Sequence, residues 1–208
     1  MNWNTRWLLD LNEISRHTTW AHGIASAYAL VLGLVVLAVL LVAGWLLARR
    51  RSPRHVAAAL SAGVATVLGY TTDQLLATVI NEPRPYQTLH HLLVLVPRVQ
   101  GSSMPNDHAV AAGALIAGVL VYSWRLGILA ALAGLALAFD LVYVGAQYPA
   151  DVIVGLVIGA AVALICYRVI GHPLTTALNL IAKTPLRRLV LDTSSHPASS
   201  ASAAGPHP

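Results

Sequence analysis

An all-α bundle of membrane-crossing helices is the fold class the sequence predicts, and three observations carry it. Of 208 residues, 57% are hydrophobic and only 10% are charged. The apolar residues gather into stretches of about 18 or more with almost no charge, long enough to cross a hydrocarbon layer as helix. The basic residues cluster where those stretches end, most densely at Arg49-Arg50-Arg51 and Arg54, as membrane topology requires. The expectation is a polytopic membrane helical bundle of about five transmembrane helices, with interfacial helices at both ends.

The first element, residues 1–19, mixes Trp3, Trp7, Leu8, Leu9 and Leu11 with Arg6, Asp10, Glu13 and Arg16. That pattern suits an amphipathic helix lying in the headgroup plane and is too polar to span. The transmembrane domain is expected over 20–172. Its first span runs from about Ile24 to Ala48 and stops at the arginine cluster; the long polar stretch before it and the lack of a cleavage site make it an anchor rather than a removed signal. The second span, about His55 to Ile80, ends where Pro83 and Pro85 remove donors and push the preceding residues out of helix.

After that span, Leu89 to Val96 is apolar but too short to cross, so a partly embedded helix or re-entrant piece is expected. Three more spans follow: from the His108 region to Trp124-Arg125, from about Leu126 to Tyr143, and from about Asp151 to Tyr167-Arg168. Residues 173–192, with Lys183, Arg187 and Arg188 among leucines, read as a second interfacial segment beside anionic lipid. Residues 193–208, rich in Ser, Ala, Pro and His, read as a disordered tail.

Charge fixes the expected orientation. With the N terminus outside, the cytoplasmic segments hold nine cations (Arg49, Arg50, Arg51, Arg54, Arg125, Arg168, Lys183, Arg187 and Arg188) and the outer ones four (Arg6, Arg16, Arg84 and Arg98). The chain is therefore expected to be multi-pass in the cell membrane, N terminus outside and C terminus cytoplasmic. The same distribution accounts for the net charge of +5, so nucleic acid is not expected as a partner. Cys166, the single cysteine, sits in an apolar run. It permits no intrachain disulfide and no cysteine metal cluster, and neither a metal nor another cofactor is expected.

This topology brings three polar stretches to one level at the outer face: Asn81-Glu82-Pro83-Arg84-Pro85-Tyr86, Ser103-Met104-Pro105-Asn106-Asp107-His108, and the segment from Asp140-Leu141 through Gln147 to Asp151. In order and separation they resemble the type 2 phosphatidic acid phosphatase superfamily, whose soluble relatives are the vanadium haloperoxidases. That family's motifs read KXXXXXXRP, PSGH or PSDH, and SRXXXXXHXXXD, and each maps here without a gap. Arg84 and Pro85 match the end of the first, with Ala77 at the lysine position. Pro105, Asp107 and His108 match the second, with Asn106 at its serine. In the third, Asp140, Leu141 and Gln147 stand at the serine, arginine and histidine, and Asp151 matches.

The resemblance implies roles for these residues. In the family one histidine attacks phosphorus, an aspartate orients it, a second histidine protonates the leaving oxygen, and a lysine with two arginines neutralises the phosphate. Carried over, His108 is a vestigial general acid, Gln147 replaces the nucleophile, Asp151 is the orienting acid, and Arg84, Asn106 and Asp107 are the substrate-binding positions. An amide cannot form a phosphohistidine, and loss of a covalent nucleophile costs on the order of 10^4 to 10^6 in turnover. Plainer roles compete: Arg84 as a snorkelling interfacial arginine, and Asn106, Asp107 and Asp151 as helix caps. Asp73 and Asp140 are intramembrane acids, costly there and in need of partners; a polar network with His108 and Arg84 is expected for them.

Three functions fit. The leading one is a pseudoenzyme of the lipid-phosphatase fold that recognises a lipid phosphate or a membrane protein partner at the outer face. The second is an active phosphatase for a lipid phosphate or polyprenyl diphosphate with a rerouted nucleophile, since the NEPRPY and PNDH stretches most resemble relatives acting on polyprenyl phosphates. The third is a lipid or proton-coupled carrier using Asp73 and Asp140.

Overall fold

The computed structural model describes residues 2–185 and Leu191, and all regular structure among them is helical. The order is α1 (Trp3–His17), a short 3-10 turn, α2 (His22–Ala27), a π-helical turn (Tyr28–Leu32), α3 (Gly33–Arg49), α4 (Pro53–Ile80), the single turn α5 (Pro85–Thr88), α6 (Asp107–Tyr122), α7 (Trp124–Tyr143) and α8 (Pro149–Ile181). From Thr19 to Arg49 the chain is one continuous rod.

The helix ends follow local chemistry. Asn2 caps α1 by accepting from the Thr5 amide at 2.9 Å, and Asn106 caps α6 by accepting from the Ala109 amide at 2.9 Å. Pro53 and Pro149 open α4 and α8, where a missing amide hydrogen is no loss. Asn81 closes α4 in the left-handed region at φ 46°, a conformation that asparagine tolerates better than most residues.

Helix α6 is central, packed against α4, α7 and α8, while α3 covers α4 and α7. The α6–α8 contact is made by small residues: a Cβ added to Gly159 would lie 1.9 Å from the Val110 carbonyl, and one on Gly113 would lie 2.1 Å from that of Leu156. Backbone-to-backbone approach of this kind is how helices associate where burying apolar surface supplies no drive. Large apolar side chains instead point outward, among them Val39, Val67, Leu132, Val157 and Val169. An apolar exterior around a small-residue interior suits lipid as solvent. Thr19–Arg49, Trp124–Tyr143 and Pro149–Ile181 are long and apolar enough to cross a membrane, and the protein is a multi-pass membrane protein.

Several boundaries differ from expectation. The segment from Leu89 to Val96 is not helical. It runs as an irregular strap whose main chain is held from outside: Asn12 Nδ2 donates to the Leu93 carbonyl at 2.7 Å, the Leu93 amide donates to Asn12 Oδ1 at 3.1 Å, and the Leu95 amide donates to the Val144 carbonyl at 3.0 Å. With its backbone satisfied in this way the strap needs no helix. Helix α8 does not stop near Arg168 but continues through Pro173 to Ile181, absorbing the first part of the segment expected to lie on the surface. Arg187, Arg188 and the 193–208 tail lie outside the described residues.

Candidate functional site

The three polar stretches meet at one end of the bundle. Arg84 precedes α5, Asn106 and Asp107 open α6, and Gln147 and Asp151 flank the start of α8. The turn between α7 and α8 can be this tight because Gly145 takes φ +74°, and a Cβ there would lie 2.4 Å from the Leu93 carbonyl. It delivers Gln147 into the middle of the cluster, 1% exposed.

Gln147 is fully engaged. Oriented so that both ends of its amide are satisfied, its oxygen accepts from Arg84 Nη1 at 2.7 Å and from Asn106 Nδ2 at 2.9 Å, while its nitrogen donates to the Ser103 carbonyl at 2.8 Å and to Ser103 Oγ at 2.9 Å. The Ser103 hydroxyl in turn donates to Asp151 Oδ2, which also accepts from the Tyr148 amide at 3.3 Å. Ser103, Asn106, Gln147 and Asp151 are all buried. The result is a closed relay from Arg84 through the Gln147 amide and the Ser103 hydroxyl to the Asp151 carboxylate.

Two atoms remain unmatched in this relay: Arg84 Nε and Asp151 Oδ1 are buried with no hydrogen-bond partner. Ser103 was assigned no role from sequence. Its signal was weak: one serine of an adjacent pair, two residues before Pro105.

A cavity of about 340 Å³ opens beside the relay, lined among others by Arg84, Asn106, Asp107, His108, Leu141 and Gln147. Ser103 and Asp151 do not line it; Gln147 stands between them and the space. His108 Nδ1 pairs with Asp107 Oδ1 at 2.8 Å, and the Leu30 backbone lies near the ring. Leu141 puts an aliphatic side chain into the cavity wall.

The local charge balance is not that of a phosphate cradle. Arg84 and His108 are the cations close enough to act on Asp73 and Asp107, and Glu82 also acts on Asp151. Asp73 is buried, takes one bond from Gln74 Nε2 at 3.1 Å, and leaves Oδ1 unpartnered. Asp140 does not join this group. Its carboxylate lies near the Ala29 backbone with Oδ2 unpartnered, and it lines a separate apolar groove with Tyr28, Phe139 and Tyr143. The expected network of Asp73, Asp140, His108 and Arg84 is thus divided, because the last turn of α7 presents Asp140 toward α2 and the π turn rather than toward α4.

Among the described residues no group of three or more His, Cys, Asp or Glu is arranged to hold a metal ion.

Comparison with known proteins agrees with this architecture. Residues 58–173 match the model of the PAP2 superfamily, a stretch that contains Arg84, His108, Gln147 and Asp151. The chain is 31% identical over 135 residues to undecaprenyl-diphosphatase BcrC of Bacillus subtilis (strain 168), covering 65% of this chain and 68% of that protein. In three dimensions it is similar to the crystal structure of Aquifex aeolicus LpxE, with a TM-score of 0.55, 22% identity, and coverage of 81% of this chain and 96% of that one. Helix order, the convergence of the three polar stretches and the matched span together place the chain in the PAP2 superfamily.

Proposed function

We propose that this protein is a membrane pseudoenzyme of the lipid-phosphatase fold, one that recognises a phosphate-bearing lipid or a membrane partner at its outer face without hydrolysing it. One observation carries the reading. The Gln147 side-chain oxygen accepts from both Arg84 and Asn106. Donors that would meet a phosphoryl oxygen in a catalytic cradle are taken by an amide of the chain itself. With the attacking imidazole absent, binding and polarisation are all that remain for catalysis.

The substrate class follows the family and the relative named undecaprenyl-diphosphatase, so a polyprenyl or diacyl phosphate is the ligand to try first. With four carboxylates near Arg84 and His108, the singly charged form of such a monoester is better matched to the cavity than the dianion. In the membrane we read five crossings, α4 and α6 joining the three helices long and apolar enough to span. The N terminus and the site then lie outside and the end of α8 in the cytoplasm.

The test is phosphate release by the purified protein from polyprenyl diphosphate and from phosphatidic acid. Release at background is expected; turnover at ordinary enzymatic rates would overturn the reading. The combined substitutions Ala77→Lys, Asn106→Ser, Asp140→Ser, Leu141→Arg and Gln147→His are expected to regain hydrolysis.

A second reading has one observation in its favour. The Ser103 hydroxyl is bonded to the Asp151 carboxylate, the pairing an activated serine nucleophile needs. Under that reading Ser103→Ala abolishes a measurable phosphatase activity, and Gln147 must swing aside to expose it. Background release that Ser103→Ala leaves unchanged removes this alternative.

A further inference from the structure

The ends of the bundle are opposite in charge. Among the described residues every aspartate and glutamate belongs to the half that holds the candidate site: on α1, in the last turns of α4 and α7, in the α4–α5 loop, and at the starts of α6 and α8. The other end, where α3 meets α4 and α8 leaves the bundle, carries cations and no described acid.

Two of those cations converge. Arg54, on the first turn of α4, and Arg168, on α8, line one cavity of about 370 Å³ together with Tyr167, His172 and Thr175. Arg54 and Tyr167 also line a smaller space of about 180 Å³ that reaches inward to His55 and Tyr122. Neither arginine has an ion-pair partner among the described residues. Tyr122 is only 9% exposed, its hydroxyl packed against Gly44 of α3. The His55 ring is fixed from its other side by Ser52, Oγ to Nδ1 at 2.7 Å.

Topological bias accounts for cations at this end. It does not account for two guanidiniums lining one cavity with no ion-pair partner among the described residues. Like charges brought together at the rim of an apolar bundle repel unless an anion lies between them, and guanidinium is the group best shaped to hold a phosphate oxygen pair.

We propose that this cavity is an anion site for a phosphate group, supplied by a lipid headgroup or by free phosphate, held between Arg54 and Arg168 with His172 at the rim. The site is separate from the Arg84–Gln147 relay and stands or falls independently of it.

The test is titration of the full-length protein, purified in neutral detergent, with phosphatidylglycerol, with diacylglycerol and with inorganic phosphate in separate arms, read by native mass spectrometry and by calorimetry. Phosphatidylglycerol, inorganic phosphate or both are expected to bind at least tenfold more weakly to the Arg54→Gln, Arg168→Gln double variant than to the unmodified protein. Diacylglycerol, lacking the phosphate, is expected to discriminate little between them. A response in the lipid arm alone identifies a headgroup site, and a response to inorganic phosphate alone identifies a site for a free anion. Arg6→Gln, which removes an exposed cation at the other end, should change nothing. Should the double variant not fold, Arg168→Gln alone must show a reduction and Arg168→Lys must restore most of it. Equal affinity of the unmodified and arginine-depleted proteins in both phosphate arms, or an equal fall for diacylglycerol, would overturn the proposal.

Discussion

Arg84 Nη1 lies 2.7 Å from the side-chain oxygen of Gln147, joining a guanidinium to a buried amide where the three polar stretches meet. A charged donor on a neutral buried acceptor is among the stronger hydrogen bonds in proteins. The Gln147 amide therefore gives Arg84 a stable internal partner.

Truncating that partner should be expensive. Gln147→Ala strands donors on Arg84 and Asn106 in a buried setting, and a loss of about 1–3 kcal/mol is expected. Thermal unfolding in detergent micelles measures it, with the exposed Gln100→Ala as a reference that should not move. An unchanged melting temperature for Gln147→Ala would mean that the relay contributes nothing.

Asp151 serves two partners with one oxygen, the Ser103 hydroxyl and the Tyr148 amide. Asp151→Asn keeps an acceptor for both and is expected to fall within about 1 kcal/mol of the parent, whereas Asp151→Ala removes a cap and leaves Ser103 unmatched, for a loss of about 1–3 kcal/mol. The order of the two unfolding midpoints is the measurement. If the two variants were equally stable, the carboxylate would have no structural part here.

The α6–α8 seam offers a steric test. At Gly159 a Cβ would stand 1.9 Å from the Val110 carbonyl, while at Gly23 nothing lies within 4 Å. Gly159→Leu is expected to cost about 1–3 kcal/mol or more by overpacking and to lower the yield of folded protein. Gly23→Ala should be neutral by the same measurement.

Asn12 is the hook that holds the strap over the cluster. Asn12→Ala removes both of its bonds to Leu93, and amide exchange over residues 89–96 is expected to speed up by roughly tenfold, the equivalent of about 1.4 kcal/mol of local opening. Exchange in α6 should be unaffected. Protection of 89–96 equal to that of the parent would show that Leu95 holds the strap without it, its amide on the Val144 carbonyl and its carbonyl accepting from Ser26 Oγ at 2.9 Å.

The helices were legible in the sequence because membrane solvation writes them in composition: long apolar runs, arginines at one end, Pro and Asn at the stops. The capping roles of Asn106 and Asp151 were legible too, since caps depend on residues three apart. What could not be read was long-range. The strap looked like a short embedded helix because its apolar run was visible, whereas its hydrogen-bond partner, Asn12, lies 81 residues away. Ser103 became part of the site only through Gln147 and Asp151, more than 40 residues on. Asp140 was expected beside His108, and the rotation of α7 that turns it toward Ala29 leaves no trace in the pattern of hydrophobic residues around it.

The π turn at Tyr28–Leu32 gives the apolar rod something its own side chains cannot. Over Gly33–Arg49 those side chains are apolar up to the closing arginine, so only shape sets its roll, Gly33 seating against Leu137 and Gly44 against Tyr122. Asp140 and His108, standing beside neighbouring main-chain groups at Ala29 and Leu30, mark the turn like two pins. Exchanging one aliphatic residue of α3 for another should leave its setting intact. Inserting a single residue between Tyr28 and Leu32 would swing everything beyond it by about a quarter of a revolution and unseat both pins together.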